Sequence, residues 1–321
     1  MSSLSDVIYA EVLRFCERSG LIDQLKQSLA VPERERFNQL NISEDGLGVL
    51  DAVHCVYDKK RSLILLNELE RLEAGKVAIE AGIGTGILSF LLAAKGIEVH
   101  GIELNPEVLD LASNIKEYLA SKKIIREENI HFLLGDATTF VLSFTADILV
   151  SENLYTGMFY EKQVPIMNHL LAYLGPRGTC VPSGLRSYLS LAETLFPHTP
   201  GVSELFVPGN EGGFEMTSKN LSEAMEYDSI DFTRTVSGKV DRVATLIATS
   251  AGNINSLLIG SEVLLPSGKV IGREDTVFLN NDIYLALERP VRVKAGDRVS
   301  VQVCYDYGSR PDQGLFQVTR L

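Results

Sequence analysis

The chain has 321 residues, 45% of them hydrophobic and 22% charged, which is ordinary for a globular protein and long enough for two domains. No run approaches the roughly 18 apolar residues of a membrane helix, and the first residues lack the charged start, apolar stretch and cleavage site of a leader, so a soluble, cytoplasmic protein is expected. A net charge of −12 argues against broad binding to nucleic-acid backbone and suits a cationic substrate or basic partner.

The four cysteines (Cys16, Cys55, Cys180, Cys304) lie far apart without a CxxC pair and read as reduced thiols. Five histidines with no His-x-x-x-His pair give no metal signature, so no metal is expected; His131 and His169 read as structural.

In chain order, Ile8, Val12 and Phe15, then Leu21, Leu25 and Leu29, recur at helical spacing, which makes residues 1–75 an N-terminal helical segment. From 76 to 184, β-rich runs at 77–82, 99–104, 130–136 and 146–153 alternate with helical stretches at 86–96 and 106–123. The second of these helices is begun by Asn105 as cap and Pro106 in the first turn. That rhythm predicts an α/β, doubly wound Rossmann-like domain with a parallel sheet. From 185 to 321 the runs SYLSLA, VATLIATS, SLLIGSEVLL, DIYLALE and DRVSVQVCYDY, with turns at 266–269 and 294–297, predict a mostly antiparallel β-barrel-like domain. Residues 197–213, rich in Pro, Gly and Glu, read as an irregular loop.

Glu80-Ala-Gly82-Ile-Gly84-Thr-Gly86 stands directly after a strand and before a helix. Glycines there allow a sharp turn and close approach to a ligand. A dinucleotide fingerprint starting at Gly82 requires glycine at position 87, where Ile87 stands, and the Gly-Lys-Ser/Thr of a Walker loop is absent. The remaining pattern, E-x-G-x-G-x-G, resembles motif I of class I methyltransferases. That resemblance implies S-adenosylmethionine as cofactor, with Glu103 at the next strand end taking the ribose hydroxyls and Asp136 and Ala137 at the third reading the adenine edge. All three lie at carboxyl ends of strands, where such sheets bind ligands.

The fourth strand runs into Ser151-Glu152 and, after Asn-Leu-Tyr155-Thr-Gly-Met-Phe, Tyr160-Glu161. This stretch resembles the double-glutamate hairpin of the protein arginine methyltransferase family. Paired carboxylates match the planar donor fork of a guanidinium. The resemblance implies a substrate nitrogen held by Glu152 and Glu161, a cofactor carboxylate paired with Arg61, and a pocket lined by Tyr155 and Tyr160. It continues through Val181-Pro182-Ser183, Gly213-Phe214-Glu215-Met216-Thr217, Thr276-Val277-Phe278 and Val293-Lys294-Ala295-Gly296.

There are departures. Where the family places a Thr-His-Trp loop, alignment puts Ile271-Gly272-Arg273, and the chain has no tryptophan at all. Arg273 in the pocket favours a carboxylate-bearing small substrate. The family's cofactor-covering N-terminal helix with paired Tyr and Phe is missing; Leu50, Val53 and Tyr57, on one helical face, are the candidate cover. The stretch between Met216 and Lys239 is short for the family's dimerisation arm, so the oligomeric state stays open. The expected activity is N-methyl transfer to a guanidinium or related cationic nitrogen of a small molecule, peptide or protein. The alternative is a small-molecule amine or hydroxyl methyltransferase with a rebuilt pocket.

Overall fold

The computed structural model describes residues 3–29, 47–196, 205–206, 217–276 and 281–321. The expected loop at 197–213 therefore lies outside the described residues, apart from a two-residue strand at 205–206, and so do residues 213–216 and 277–280 of the resembling segments.

Helices α1 (Leu4–Arg18) and α2 (Leu21–Leu29) come first. The Ser3 hydroxyl caps α1 by accepting from Asp6 N–H, and Ile8 and Val12 turn inward, as their four-residue spacing dictates. Helices α3 (Val49–Tyr57) and α4 (Lys59–Leu69) follow and lead to the sheet. Five parallel strands, β1 (Val77–Ala81), β2 (Glu98–Glu103), β3 (Ile130–Leu134), β4 (Ala146–Ser151) and β5 (Leu174–Val181), stand in the order β3-β2-β1-β4-β5. Between them run α5 (Ile87–Ala94), α6 (Pro106–Ser121) and α7 (Gln163–Leu170). The order reverses at β1, so the strand ends carrying Glu80, Glu103 and Glu152 converge on one crevice. α1, α4, α5 and the sheet share one apolar core containing Ile8, Leu66, Phe90 and Ile148, all fully buried.

The rest is antiparallel. β6 (Gly184–Thr194), β11 (Gly252–Leu264) and β13 (Ile283–Val293) form the middle of a seven-stranded sheet, completed by β7 (Leu205–Phe206), β8 (Ser218–Asn220), β9 (Met225–Asp231) and β12 (Val270–Ile271). β10 (Lys239–Ile247), β14 (Arg298–Asp306) and β15 (Leu315–Arg320) form a second sheet. The inward residues of every second position, such as Val299, Val301 and Val303, meet Leu189, Leu257 and Leu285 in a second core. The architecture is a Rossmann-like methyltransferase-type unit joined to a β-rich unit, with N-terminal helices. Among the described residues between Thr217 and Lys239 there are two short strands and no helix. No described helix is long and apolar enough to cross a membrane.

Candidate functional site

Two glycines show why the loop after β1 is spelled as it is. Gly82 has φ 72°, and a side chain there would strike the Asn153 amide. Gly86, at φ 80°, turns the chain into α5 and leaves no room for a Cβ beside the Phe90 ring. Gly84 instead presents its N–H to the Glu103 carboxylate at 3.2 Å. That carboxylate also accepts from the N–H groups of Leu104 and Asn105, both at 3.0 Å. Burial raises the Glu103 carboxyl above its ordinary range, and these three donors oppose the rise. Glu80 is buried one turn of loop away and accepts from the Ser89 hydroxyl; burial pushes it up to about 8. Asp136 accepts from the N–H and hydroxyl of Thr138 at 2.8 and 2.7 Å, so it caps its own turn.

The hairpin that follows β4 is closed at its base by Gln163, the first residue of α7. The Gln163 amide oxygen accepts from the Ser151 hydroxyl at 2.9 Å and from Asn153 N–H at 3.0 Å, and its NH2 donates to the Ser151 carbonyl at 2.8 Å. Asn153 in turn donates to the Ala81 carbonyl at 2.8 Å, fixing the hairpin to the glycine loop. Ser151 and Gln163 are fully buried, so each amide and hydroxyl group needs this network. The closure brings Glu152 and Glu161, nine positions apart, into one cavity.

The hairpin tip belongs to the β-rich unit. Gly157 N–H donates to Ser261 Oγ at 3.0 Å, and the Tyr305 hydroxyl donates to the Gly157 carbonyl at 2.7 Å. The Phe159 ring packs on Tyr305, with centroids 4.7 Å apart. The loop after β14 completes the grip: Gly308 N–H donates to Met158 O at 2.8 Å, and Tyr160 N–H to Ser309 O at 3.1 Å. Met158 and Tyr160 sit at φ 57° and 61°, left-handed conformations that side chains disfavour and that the surrounding contacts must sustain.

At the bottom of the cavity the Arg61 guanidinium, from α4, meets Glu152 at 2.8 Å. Arg61 is buried and the Glu152 side chain is 11% exposed; among the described residues Nε and Nη1 of Arg61 and the second oxygen of Glu152 have no hydrogen-bond partner. Burial acts against the Arg61 charge, but Glu152 and its neighbours more than offset it and hold the group cationic. Glu161 is 8% exposed, and one of its oxygens is buried without a partner among the described residues. Burial first, then the Glu152 charge, pushes it up to about 7.

The cavity measures about 350 Å³ and takes in Arg61, Glu80, Gly82, Gly84, Glu103, Asp136, Ala137, Glu152, Tyr160 and Glu161, the majority of the residues singled out in the sequence. Three of those do not line it. Gly86 serves the helix turn. Tyr155 is buried in the β core with its ring edge-on to Tyr160 at 5.3 Å. Arg273, expected in the pocket, is exposed and paired with Asp282 at 3.1 Å. The reason lies in its flanks: Lys60 bonds the Glu274 carbonyl and the Asp275 carboxylate at 2.8 and 2.9 Å, and Thr276 bonds Asp58 at 2.7 Å, pinning this turn to the start of α4. The cover is corrected in the same way. Ala52, Cys55 and Val56 of α3 line the cavity, one face round from Leu50, Val53 and Tyr57, and Val53 is fully buried in the core.

Sequence reasoning missed Asn153, Gln163, Gly308 and Arg310. Asn153 and Gln163 flank the two glutamates and offered a signal as paired amides. Gly308 and Arg310 reach the cavity through the long-range packing of β14 against the hairpin, which no local pattern reveals.

No family model matches the sequence. An uncharacterised protein of Methanocaldococcus jannaschii is 28% identical over 255 residues, covering 78% of this chain and 90% of the relative. An arginine N(omega)-methyltransferase of Streptomyces achromogenes subsp. streptozoticus is 25% identical over 275 residues, covering 77% of this chain and 73% of the relative. Among solved structures, a chain of the Trypanosoma brucei PRMT1 enzyme–prozyme heterotetrameric complex with AdoHcy superposes with a TM-score of 0.65 at 17% identity, covering 84% of this chain and 98% of that one. The chain thus has a Rossmann-like methyltransferase-type fold joined to a β-rich unit, and in fold and distant sequence similarity it resembles the arginine methyltransferase superfamily.

Proposed function

We propose that the chain is an S-adenosylmethionine-dependent N-methyltransferase acting on a guanidinium or related cationic nitrogen, held by Glu152 and Glu161. The observation that carries this reading is the buried Glu161 beside Glu152, one of whose carboxyl oxygens has no partner among the described residues. An isolated carboxyl is costly to bury, and a planar cation with several N–H donors would satisfy both groups at once.

The residues fit the cofactor. Arg61 has two buried nitrogens in want of an acceptor, which suits a carboxylate. The Gly82 backbone lines the cavity without a side chain. Glu103 has lone pairs for about four donors and uses three on backbone N–H groups, leaving capacity for a hydroxyl. When bound, S-adenosylmethionine supplies an electrophilic methyl group on a sulfonium. The chain's own work is to orient the nucleophile: Gln163, Asn153 and the Tyr305 hydroxyl fix the hairpin, and the two carboxylates fix the plane of the guanidinium. Glu152 or Glu161 then accepts the proton that the methylated nitrogen releases.

This assignment has a pH signature. Glu161 must be ionised to bind a cation, and in the ligand-free protein its pKa is about 7. Arginine binding therefore takes place with proton release below about pH 7, weakens up to tenfold per unit on acidification, and levels off above. Calorimetric titration with arginine, in the presence of S-adenosylhomocysteine, checks it. Constant affinity across that range contradicts the role of Glu161.

Five carboxylates and three cations line the cavity, and two of the cations, Lys162 and Arg310, lie in exposed positions, Arg310 with Nε and Nη2 on Asp312 at 3.1 and 3.2 Å. This pattern favours a substrate that carries a carboxylate as well as a guanidinium, and thus free arginine over a peptide. Arginine is expected to be methylated with a lower KM than agmatine, which lacks the carboxylate. Arg310→Ala should raise the KM for arginine and leave agmatine unchanged; equal effects on both would remove the carboxylate from the account.

A further inference from the structure

The sheet carries a second cluster of ligand-type side chains, at the opposite end of β2 from Glu103. Glu98 and His100 are two residues apart on β2 and so share a face of the sheet. His131 on β3 is the register partner of His100 in the parallel pair, which places it on that same face. Their Nε2 atoms lie 3.0 and 3.5 Å from the same Glu98 oxygen, and all three ligand atoms fall within 4.8 Å of one another. The imidazoles stack at 4.7 Å between centroids, and the Phe144 ring packs on His100 at 4.2 Å. Glu98 and His131 are exposed, so an ion reaches the cluster from solvent without any opening of the fold.

Ligand atoms about 2.0–2.1 Å from a tetrahedral ion are about 3.3 Å apart, and the two nitrogen–oxygen separations bracket that value. Two imidazoles with one carboxylate suit a borderline ion such as zinc rather than calcium or magnesium, which take oxygen ligands. We propose that Glu98, His100 and His131 form a surface site for a zinc-class divalent ion, with water in the remaining position. The ion ties edge strand β3 to β2. The site stands apart from the cofactor crevice: Glu98 and Glu103 are the two ends of a six-residue strand, about 16 Å apart at ~3.3 Å per residue.

The test uses the full-length, untagged, chelator-treated protein. Cobalt is expected to bind at one equivalent with four-coordinate visible bands and without thiolate charge-transfer absorption. Zinc is expected to raise the Tm. His131→Ala, and independently Glu98→Gln, should weaken metal binding by at least about tenfold and abolish the Tm rise, with S-adenosylhomocysteine affinity unchanged. Absence of cobalt bands overturns the site, as does equal binding by both variants or thiolate absorption that assigns the ion to the cysteines.

Discussion

Replacing Glu161 by glutamine is expected to cut methyl transfer to arginine on the order of 10²–10³-fold while leaving the protein folded, and above pH 7 more stable than the parent. The two halves have one cause. Burial first, then the Glu152 charge, holds the native-state pKa of Glu161 at about 7 against 4.5 in the unfolded chain. Between those values the native state binds more protons than the unfolded one, so stability falls as pH rises and is lost in full above about 7. The loss is about 3 kcal/mol, an order-of-magnitude figure. Glutamine does not titrate, so the variant escapes it: the Tm difference should grow from near zero at about pH 4.5 to several degrees at about pH 8. Glu152→Gln should behave differently. It too loses transfer, but it strips the buried Arg61 guanidinium of its ion-pair partner, and breaking such pairs costs about 3–5 kcal/mol. Two glutamates of one hairpin are thus told apart by thermal unfolding. If Glu161→Gln is destabilised as much as Glu152→Gln at alkaline pH, the description of Glu161 as an unpaired buried acid is wrong.

Arg61→Met is expected to weaken binding of S-adenosylhomocysteine by at least about thirtyfold, since truncating one partner of a buried charge pair costs about 2–5 kcal/mol. The guanidinium has Nη2 on Glu152 and two further buried nitrogens to offer. Arg61→Lys should recover part of the stability but little of the affinity, because an ammonium is a point charge that cannot present a fork to two carboxylates. A control isolates the contact. 5′-Methylthioadenosine lacks the amino-acid carboxylate, so its affinity should be nearly the same for parent and variant, provided both are folded. Equal losses for both ligands would assign Arg61 to the architecture of the cavity and not to the cofactor carboxylate.

Most of the α/β part is legible in the sequence because its signals are local. Parallel strands buried on both faces read as short apolar runs, and Asn105-Pro106 opens a helix where its chemistry requires one. The glutamate pair is legible through the resemblance of its hairpin to the family's double-glutamate loop; Glu152 directly follows β4, and one hairpin sets the spacing to Glu161. What packs across the chain is not. Arg273 aligns with a pocket position, but Lys60 and Asp58 draw its turn onto α4, and the loop of Gly308 and Arg310 takes up the place beside the hairpin. The cavity-facing side of α3 lies about one residue round from the apolar face the sequence marks, since hydrophobic periodicity marks the buried stripe and cannot separate core from ligand cavity. His131, which reads as structural in the sequence, stands beside His100 only through the β2–β3 register, which no local pattern reveals.

The most direct measurement of the central claim is transfer of labelled methyl groups from S-adenosylmethionine to free arginine, by parent and Glu161→Gln proteins shown to bind S-adenosylhomocysteine equally. Methylation on a guanidinium nitrogen by the parent and loss of it, on the order of a hundredfold or more, in the variant is the expected result. A parent that binds the cofactor but methylates no guanidinium compound, or a variant that transfers as well as the parent, would contradict it.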